Sequence, residues 1–206
     1  MYGAFRVGIG GPVGAGKTSL VKGVCDLLPF VRPSISFTTR KIRESEIDGQ
    51  DYFFVNEDIF HQKIKNNDFL EYQDVYGNMY GTTLESVSSI TDSGVDVILE
   101  IDYKGMLAVK KVLPLAKSIY IIPPSIEELK KRLVNRAEDE LEVINKRMNS
   151  SMREMYYAKF ADYVLVNDDF DHALNMLKGI IVFNRIIDND LSSWAKKLIN
   201  LDNCIV

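Results

Sequence analysis

Residues 11–20 read GPVGAGKTSL. Gly11, Gly16, Lys17 and Thr18 satisfy the pattern GxxxxGK[ST], whose small residues let backbone N–H groups turn inward around phosphate. A helix that starts here adds the positive end of its dipole. Lys17 then reaches the β- and γ-phosphates, and the Thr18 hydroxyl faces Mg²⁺. The loop Gly11, Pro12, Val13, Gly14, Ala15 and Gly16 is therefore read as a triphosphate cradle that takes ATP with Mg²⁺. Its context is the required one, since AFRVGI before it reads as a strand and Lys17 to Leu28 after it reads as a helix. The motif does not say where the terminal phosphate goes: water, a protein side chain and a second nucleotide are all acceptors.

The same strand and helix alternation continues outward from the loop. VDVILEI precedes helix-period residues Tyr103 to Val112, SIYIIPP precedes Ser125 to Val134, and DYVLV precedes Asp169 to Asn184. Such alternation predicts an α/β fold, a parallel sheet in three layers with helices on both faces. Continuous apolar runs such as VILEI suit strands buried on both sides. Two stretches break the rhythm. Residues 34–82 carry the short extended segments SISFTTR, DYFFV, FLEYQ and NMYGT, with a helical stretch from Asp58 to Lys65, and predict a small, mostly antiparallel insertion. Residues 135–158 are polar apart from a helical stripe of Leu141, Ile144, Met148 and Met155, a helix with little to bury that predicts a mobile flap over a site.

Composition narrows the partners. With 25 Lys and Arg against 29 Asp and Glu, the net charge is −4, so no basic face is expected for a nucleic-acid backbone. No apolar run approaches the roughly 20 residues of a membrane span, and the N-terminus lacks the layout of a secretory signal. Cys25 and Cys204 have neither disulfide-framework nor zinc-site spacing and suit a reducing cytoplasm. His61 and His172 have no metal-like partners in sequence and are expected on the surface. Trp194, Leu198 and Leu201 suggest an amphipathic C-terminal helix that packs on the domain.

Two further constellations bear on the acceptor. FTTRKIRESEIDGQDYFFV sets Arg40 and Arg43 three apart with Tyr52 following, and two guanidiniums clamp a phosphate dianion bidentately where one lysine does not. EYQDVYGNMYGTT brings Glu71, Tyr80 and Thr82 into one strand–turn–strand. Guanine presents N–H donors at N1 and N2 beside the O6 acceptor, and a carboxylate with a hydroxyl complements that edge. Adenine has an acceptor at N1, which would leave Glu71 facing a lone pair, a mismatch that discriminates strongly. Taken singly, each residue also has a plain structural reading: a solvated basic loop, a surface ion pair, a packing tyrosine.

In its order of motifs the chain resembles the guanylate kinases, which transfer phosphate from ATP to GMP: P-loop, TTRxxRxxExxGxxYxFV, FLE, GNxYGT, hhhxID, RL, NKRM and VNDD, to about Arg185. The resemblance implies a P-loop core of residues 1–33, 83–134 and 159–190, a GMP-binding insertion of 34–82, a lid of 135–158 and a tail of 191–206. It implies that Ser36, Glu71, Thr82 and Asp102 surround guanine, that Arg40, Arg43, Tyr52 and Tyr80 hold the GMP phosphate, and that Arg136 and Arg147 close over the transferring group. Asn167 falls near the adenine of ATP, and Mg²⁺ sits at Thr18 with Asp102 linked through water. The resemblance also implies acceptance of dGMP and a monomer or homodimer. Asp102 also stands where the helix from Tyr103 needs an N-cap, and the two roles are compatible. Arg132 either faces the site with Arg136 or pairs with Glu128.

Lys41, Ile42, Ser45, Met79, Lys104 and Ala137 depart from the family pattern without removing a charged ligand. Two other readings compete, a protein-binding module of the kind that has lost its P-loop and a P-loop kinase for another phosphorylated acceptor. The intact loop opposes the first, and Glu71, Thr82 and the paired arginines oppose the second.

Overall fold

The computed structural model describes residues 4–136 and 141–187, with the side chains of residues 136 and 141–146 outside that description. Ala137, Trp194, Leu198, Leu201 and Cys204 lie outside the described residues, and with them the expected C-terminal helix.

In chain order the elements are β1 (Arg6–Gly10), α1 (Lys17–Leu27), β2 (Val31–Pro33), β3 (Phe37–Thr38), β4 (Phe53–Phe54), α2 (Glu57–Lys65), β5 (Phe69–Val75), β6 (Asn78–Thr83) and α3 (Leu84–Thr91). They continue with β7 (Asp96–Glu100), α4 (Tyr103–Val112), β8 (Lys117–Ile122), α5 (Ile126–Arg136), α6 (Leu141–Met155), β9 (Tyr163–Val166) and α7 (Phe170–Ile186). A five-stranded sheet runs β2-β7-β1-β8-β9, with every pairing parallel. A four-stranded sheet runs β4-β3-β6-β5. Its β3–β6 and β5–β6 pairs are antiparallel, and its β3–β4 pair is parallel.

The central strands carry continuous apolar runs, Val97–Leu99 in β7 and Ile119–Ile122 in β8, because both faces are covered. Side chains alternate across a strand, so Ile98 points to one face of β7 and Val97 and Leu99 to the other. Ile98 joins Val7, Ile9, Leu20, Val24, Leu177 and Ile181 beneath α1 and α7. Val97 and Leu99 join Met106, Val109, Tyr120, Val87 and Leu70, which lie mainly on α4, α3 and the second sheet. Two cores with a sheet between them give the three layers. Each fully buried Val, Leu or Ile contributes about 1.5–3 kcal/mol relative to exposure. The arrangement also sets β5 against α4, and so brings the second sheet to the carboxyl edge of the first, where ligands bind in open α/β sheets.

Two elements have weak signals in the sequence. Strand β2 is three residues long and ends in an exposed proline, as an edge strand tolerates. Helix α3, LESVSSIT, is rich in residues of low helix propensity and depends on its cap, where Thr83 Oγ1 accepts from Ser86 N.

The expectation that α6 has little to bury is corrected. Met148 is buried with Leu129 and Leu133 of α5, and Val13 of the loop packs against them. Ser151 is fully buried and donates to Val13 O at 3.3 Å. The polar composition concealed this contact, because one methionine and one small residue suffice to seat the helix on α5 and the loop.

Candidate active site

The start of α1 differs from those of its neighbours. Helices α2, α3, α4, α5 and α7 each begin on a side-chain oxygen, from Asn56, Thr83, Asp102, Ser125 and Asp169 respectively. Helix α1 begins on Gly16, which has no side chain to cap with. Its first N–H groups and its dipole are therefore left for an anion. Gly16 has φ 88°, and a Cβ there would come within 2.3 Å of Asn167 Nδ2, so both the backbone conformation and the close approach require glycine.

The side chains around this loop hold it in shape. Lys17 Nζ donates to Gly11 O at 2.6 Å and Pro12 O at 3.2 Å. Asn167, expected near adenine, is buried and donates from Nδ2 to Ala15 O at 2.8 Å, which supports the loop from behind. Arg132 pairs with Glu128 at 2.9 Å, as one of its two readings had it, and it lines the cleft with Gly14, Gly16, Thr18 and Ser19. It also donates to Asn167 O at 3.0 Å.

Thr18 Oγ1 donates to Glu100 Oε1 at 2.6 Å. The carboxylate beside this hydroxyl is thus Glu100, at the end of β7, whereas the sequence had favoured Asp102 for a water-mediated link. Asp102 caps α4, accepting from Gly105 N at 2.7 Å. Glu154 of α6 is an acid the sequence did not single out. Burial pushes its carboxyl up, and the charges acting on it are those of Lys17, Asp102 and Lys104. Its carbonyl accepts from Tyr120 OH at 2.7 Å, which fixes α6 to the sheet.

Across the cleft, Glu71 of β5 lies opposite Thr82 of β6, where the ladder shifts register between Phe69 and Glu71. Glu71 Oε1 accepts from Thr82 N at 3.1 Å and from Thr82 Oγ1 at 2.9 Å. Ser36 Oγ lies 3.0 Å from Thr82 Oγ1, so Ser36, Thr82 and Glu71 form one polar line between the sheets. Burial pushes the Glu71 carboxyl up to about 7; the Thr82 bonds oppose the shift, and the Asp102 charge adds to it.

Arg40 is held on every side. It donates from Nε to Tyr80 OH at 3.1 Å, from Nη2 to Glu46 Oε1 at 2.7 Å and from Nη1 to Lys41 O at 2.7 Å. Its guanidinium also lies 5.6 Å from the ring centres of Tyr52 and Phe54. Arg43 stands beside it with its side chain 56% exposed, its N–H on Glu46 Oε2 at 2.9 Å and its Nη1 3.7 Å from Glu46 Oε1. Glu46 therefore organises both arginines. Burial alone would push its carboxyl up, but the bonds from Arg40 and Arg43 bring it below the usual range. Its sequence signal is the glutamate three residues after Arg43, in RxxE.

Arg147 lies on α6, and its charge reaches Tyr76 at the β5–β6 turn, which also hydrogen-bonds Ser150. Arg136 ends α5, and its side chain lies outside the described residues. His61 and His172 are exposed, as expected.

A P-loop at the carboxyl edge of a parallel sheet, facing a second polar site with paired arginines across a cleft, defines a P-loop nucleoside monophosphate kinase. The guanylate kinase family model matches residues 6–183. A guanylate kinase of Pseudomonas fluorescens is 46% identical over 178 residues, 86% of each chain. That of Escherichia coli is 45% identical over 181 residues, 86% of this chain and 87% of the other. The crystal structure of guanylate kinase from Anaplasma phagocytophilum superposes with a TM-score of 0.74 at 26% identity, covering 90% of this chain and 87% of the other. The chain belongs to the guanylate kinase family.

Proposed function

We infer that the protein transfers the γ-phosphate of ATP to GMP, and to dGMP, giving ADP and GDP or dGDP. The observation that carries the acceptor assignment is the buried Glu71 carboxylate fixed beside the Thr82 hydroxyl, a pair complementary to the N–H edge of guanine. Ser36 and Asp102 complete that side in this reading, and Tyr52, Tyr80, Arg40 and Arg43 receive the phosphate. The 34–82 insertion is then the GMP-binding part and 135–158 the lid, and a cytoplasmic setting belongs to the same proposal. Cys25 is a free thiol that burial pushes up to about 11, which makes it a poor nucleophile.

Phosphoryl transfer asks a protein mainly to align the acceptor oxygen with the γ-phosphorus and to neutralise charge on the equatorial oxygens. No dedicated general base is assigned. Lys17, Arg40, Arg43 and Arg147, with Arg136, supply the positive field, and lid closure excludes water as a competing acceptor. Hard oxygen donors at Thr18 and Glu100 suit Mg²⁺; these two residues would hold it beside the ATP phosphates, where it would supply charge neutralisation. Asn167 holds the loop through Ala15 O.

A coupled ADP assay with a panel of nucleoside monophosphates tests the reading. Turnover is expected with GMP and dGMP, and poor turnover with AMP, CMP and UMP. AMP serving as well as GMP would refute the roles of Glu71 and Thr82.

The Glu71 carboxyl also predicts a pH dependence. Guanine donors bind the ionised form, so KM for GMP is expected to rise as pH falls below about 7, by up to roughly tenfold per unit, in steady-state profiles that Glu71→Gln flattens. The same titration acts on stability with the opposite sign. The folded value lies above the ordinary 4.5, so this residue's contribution is fully present below about 4.5 and is lost as pH rises through about 7.

A further inference from the structure

We propose that Gly105, in the first turn of α4, is a positioning residue for guanine recognition: its N–H fixes Asp102, and its missing side chain leaves the space in which the Glu71 carboxylate is held. The proposal rests on the reading that these two carboxylates face the base.

Glycine is a poor helix former, so its presence inside α4 needs a local reason. The reason is spatial. A Cβ on Gly105 would lie 2.7 Å from Glu71 Oε2 and 3.1 Å from Ile101 Cβ. The free end of a glutamate ordinarily swings away from such a contact. Here Oε1 is tied to Thr82 N at 3.1 Å and to Thr82 Oγ1 at 2.9 Å, and the side chain is buried, so displacing Oε2 breaks the line that joins Glu71 to Thr82 and Ser36. On its other side Gly105 donates its N–H to Asp102 Oδ1 at 2.7 Å. One residue thus sets the spacing between a carboxylate on the second sheet and a carboxylate at the edge of the first. That spacing decides whether both reach the same planar base, and angstrom-scale misplacement in such sites is costly.

The experiment compares the wild-type protein with Gly105→Ala, Glu71→Asp, the double variant and Glu71→Ala, reading KM for GMP, KM for ATP, kcat and Tm. Gly105→Ala is expected to raise KM for GMP by about tenfold or more while KM for ATP stays within about twofold. Its Tm is expected to fall by no more than a few degrees, because alanine's helix preference partly offsets the displaced Glu71 contacts. Aspartate withdraws the carboxylate by one methylene, so in the Glu71→Asp background the same alanine is expected to change KM for GMP by no more than about twofold. Any effect of the Ile101 contact is common to both backgrounds and cancels in the comparison.

An equal penalty in both backgrounds would overturn the proposal, as would an unchanged KM for GMP in Gly105→Ala. A lowered Tm with a raised KM for both nucleotides would also overturn it, because that pattern marks a general folding defect. Failure of the underlying reading looks different: Glu71→Ala would then keep its preference for GMP over AMP, whatever Gly105→Ala does.

Discussion

Lys17→Ala is expected to reduce kcat by about 10³-fold or more, with GMP binding retained and the fold intact. Lys17 opens α1 directly after a glycine start that leaves backbone N–H groups uncapped, and its ammonium is held at the loop by Gly11 O and Pro12 O. It is therefore positioned to meet charge that develops on the β- and γ-phosphate oxygens, where preorganised donors act most strongly. In the proposed arrangement GMP binds across the cleft, away from this side chain. Single-turnover kinetics and GMP titration of the variant separate the two effects. A kcat within tenfold of wild type would remove Lys17 from the reaction.

Arg40→Ala is expected to cost about 10³-fold or more in kcat/KM, and Arg40→Lys to recover little of it. Lysine keeps the charge but loses the planar fork. In the protein that fork is locked by Glu46, Tyr80 and Lys41 O and flanked by the Tyr52 and Phe54 rings, so little reorganisation remains when phosphate arrives. Arg43 carries the same charge on a largely exposed side chain and lacks this confinement. Steady-state kinetics with GMP, accompanied by Tm, check the prediction. Full recovery by lysine would mean that charge alone matters at this position and that the grip of Glu46 is incidental.

The parts of this account that were legible in the sequence are those whose physics is local. A phosphate cradle is built from contiguous backbone, so GPVGAGKTSL carries its own geometry, and the glycine start of α1 follows from it. Glu71 and Thr82 belong to one hairpin, so strand alternation was enough to bring them opposite each other. The start of α4 was legible in the same way, since Asp102 precedes a helix-period run and caps it.

What escaped the sequence depends on distant elements. Glu46 grips Arg40 across a loop whose path no periodicity reports. Glu154 reaches the surroundings of Lys17 and Asp102 only because α6 returns over the sheet edge. The burial of Asn167 against Ala15 was not legible in VNDD, because it depends on how β9 ends beside the P-loop. Met148 shows the same limit, because a polar helix needs few contacts to become seated and composition does not count them.

The central claim is that the guanine base lies between Glu71 and Thr82, with its phosphate on Arg40, Arg43, Tyr52 and Tyr80. A crystal structure of the protein soaked with GMP tests it most directly. The account predicts N1 and N2 within hydrogen-bond distance of the Glu71 carboxylate and O6 near the Thr82 hydroxyl; a base bound anywhere else in the cleft would contradict it.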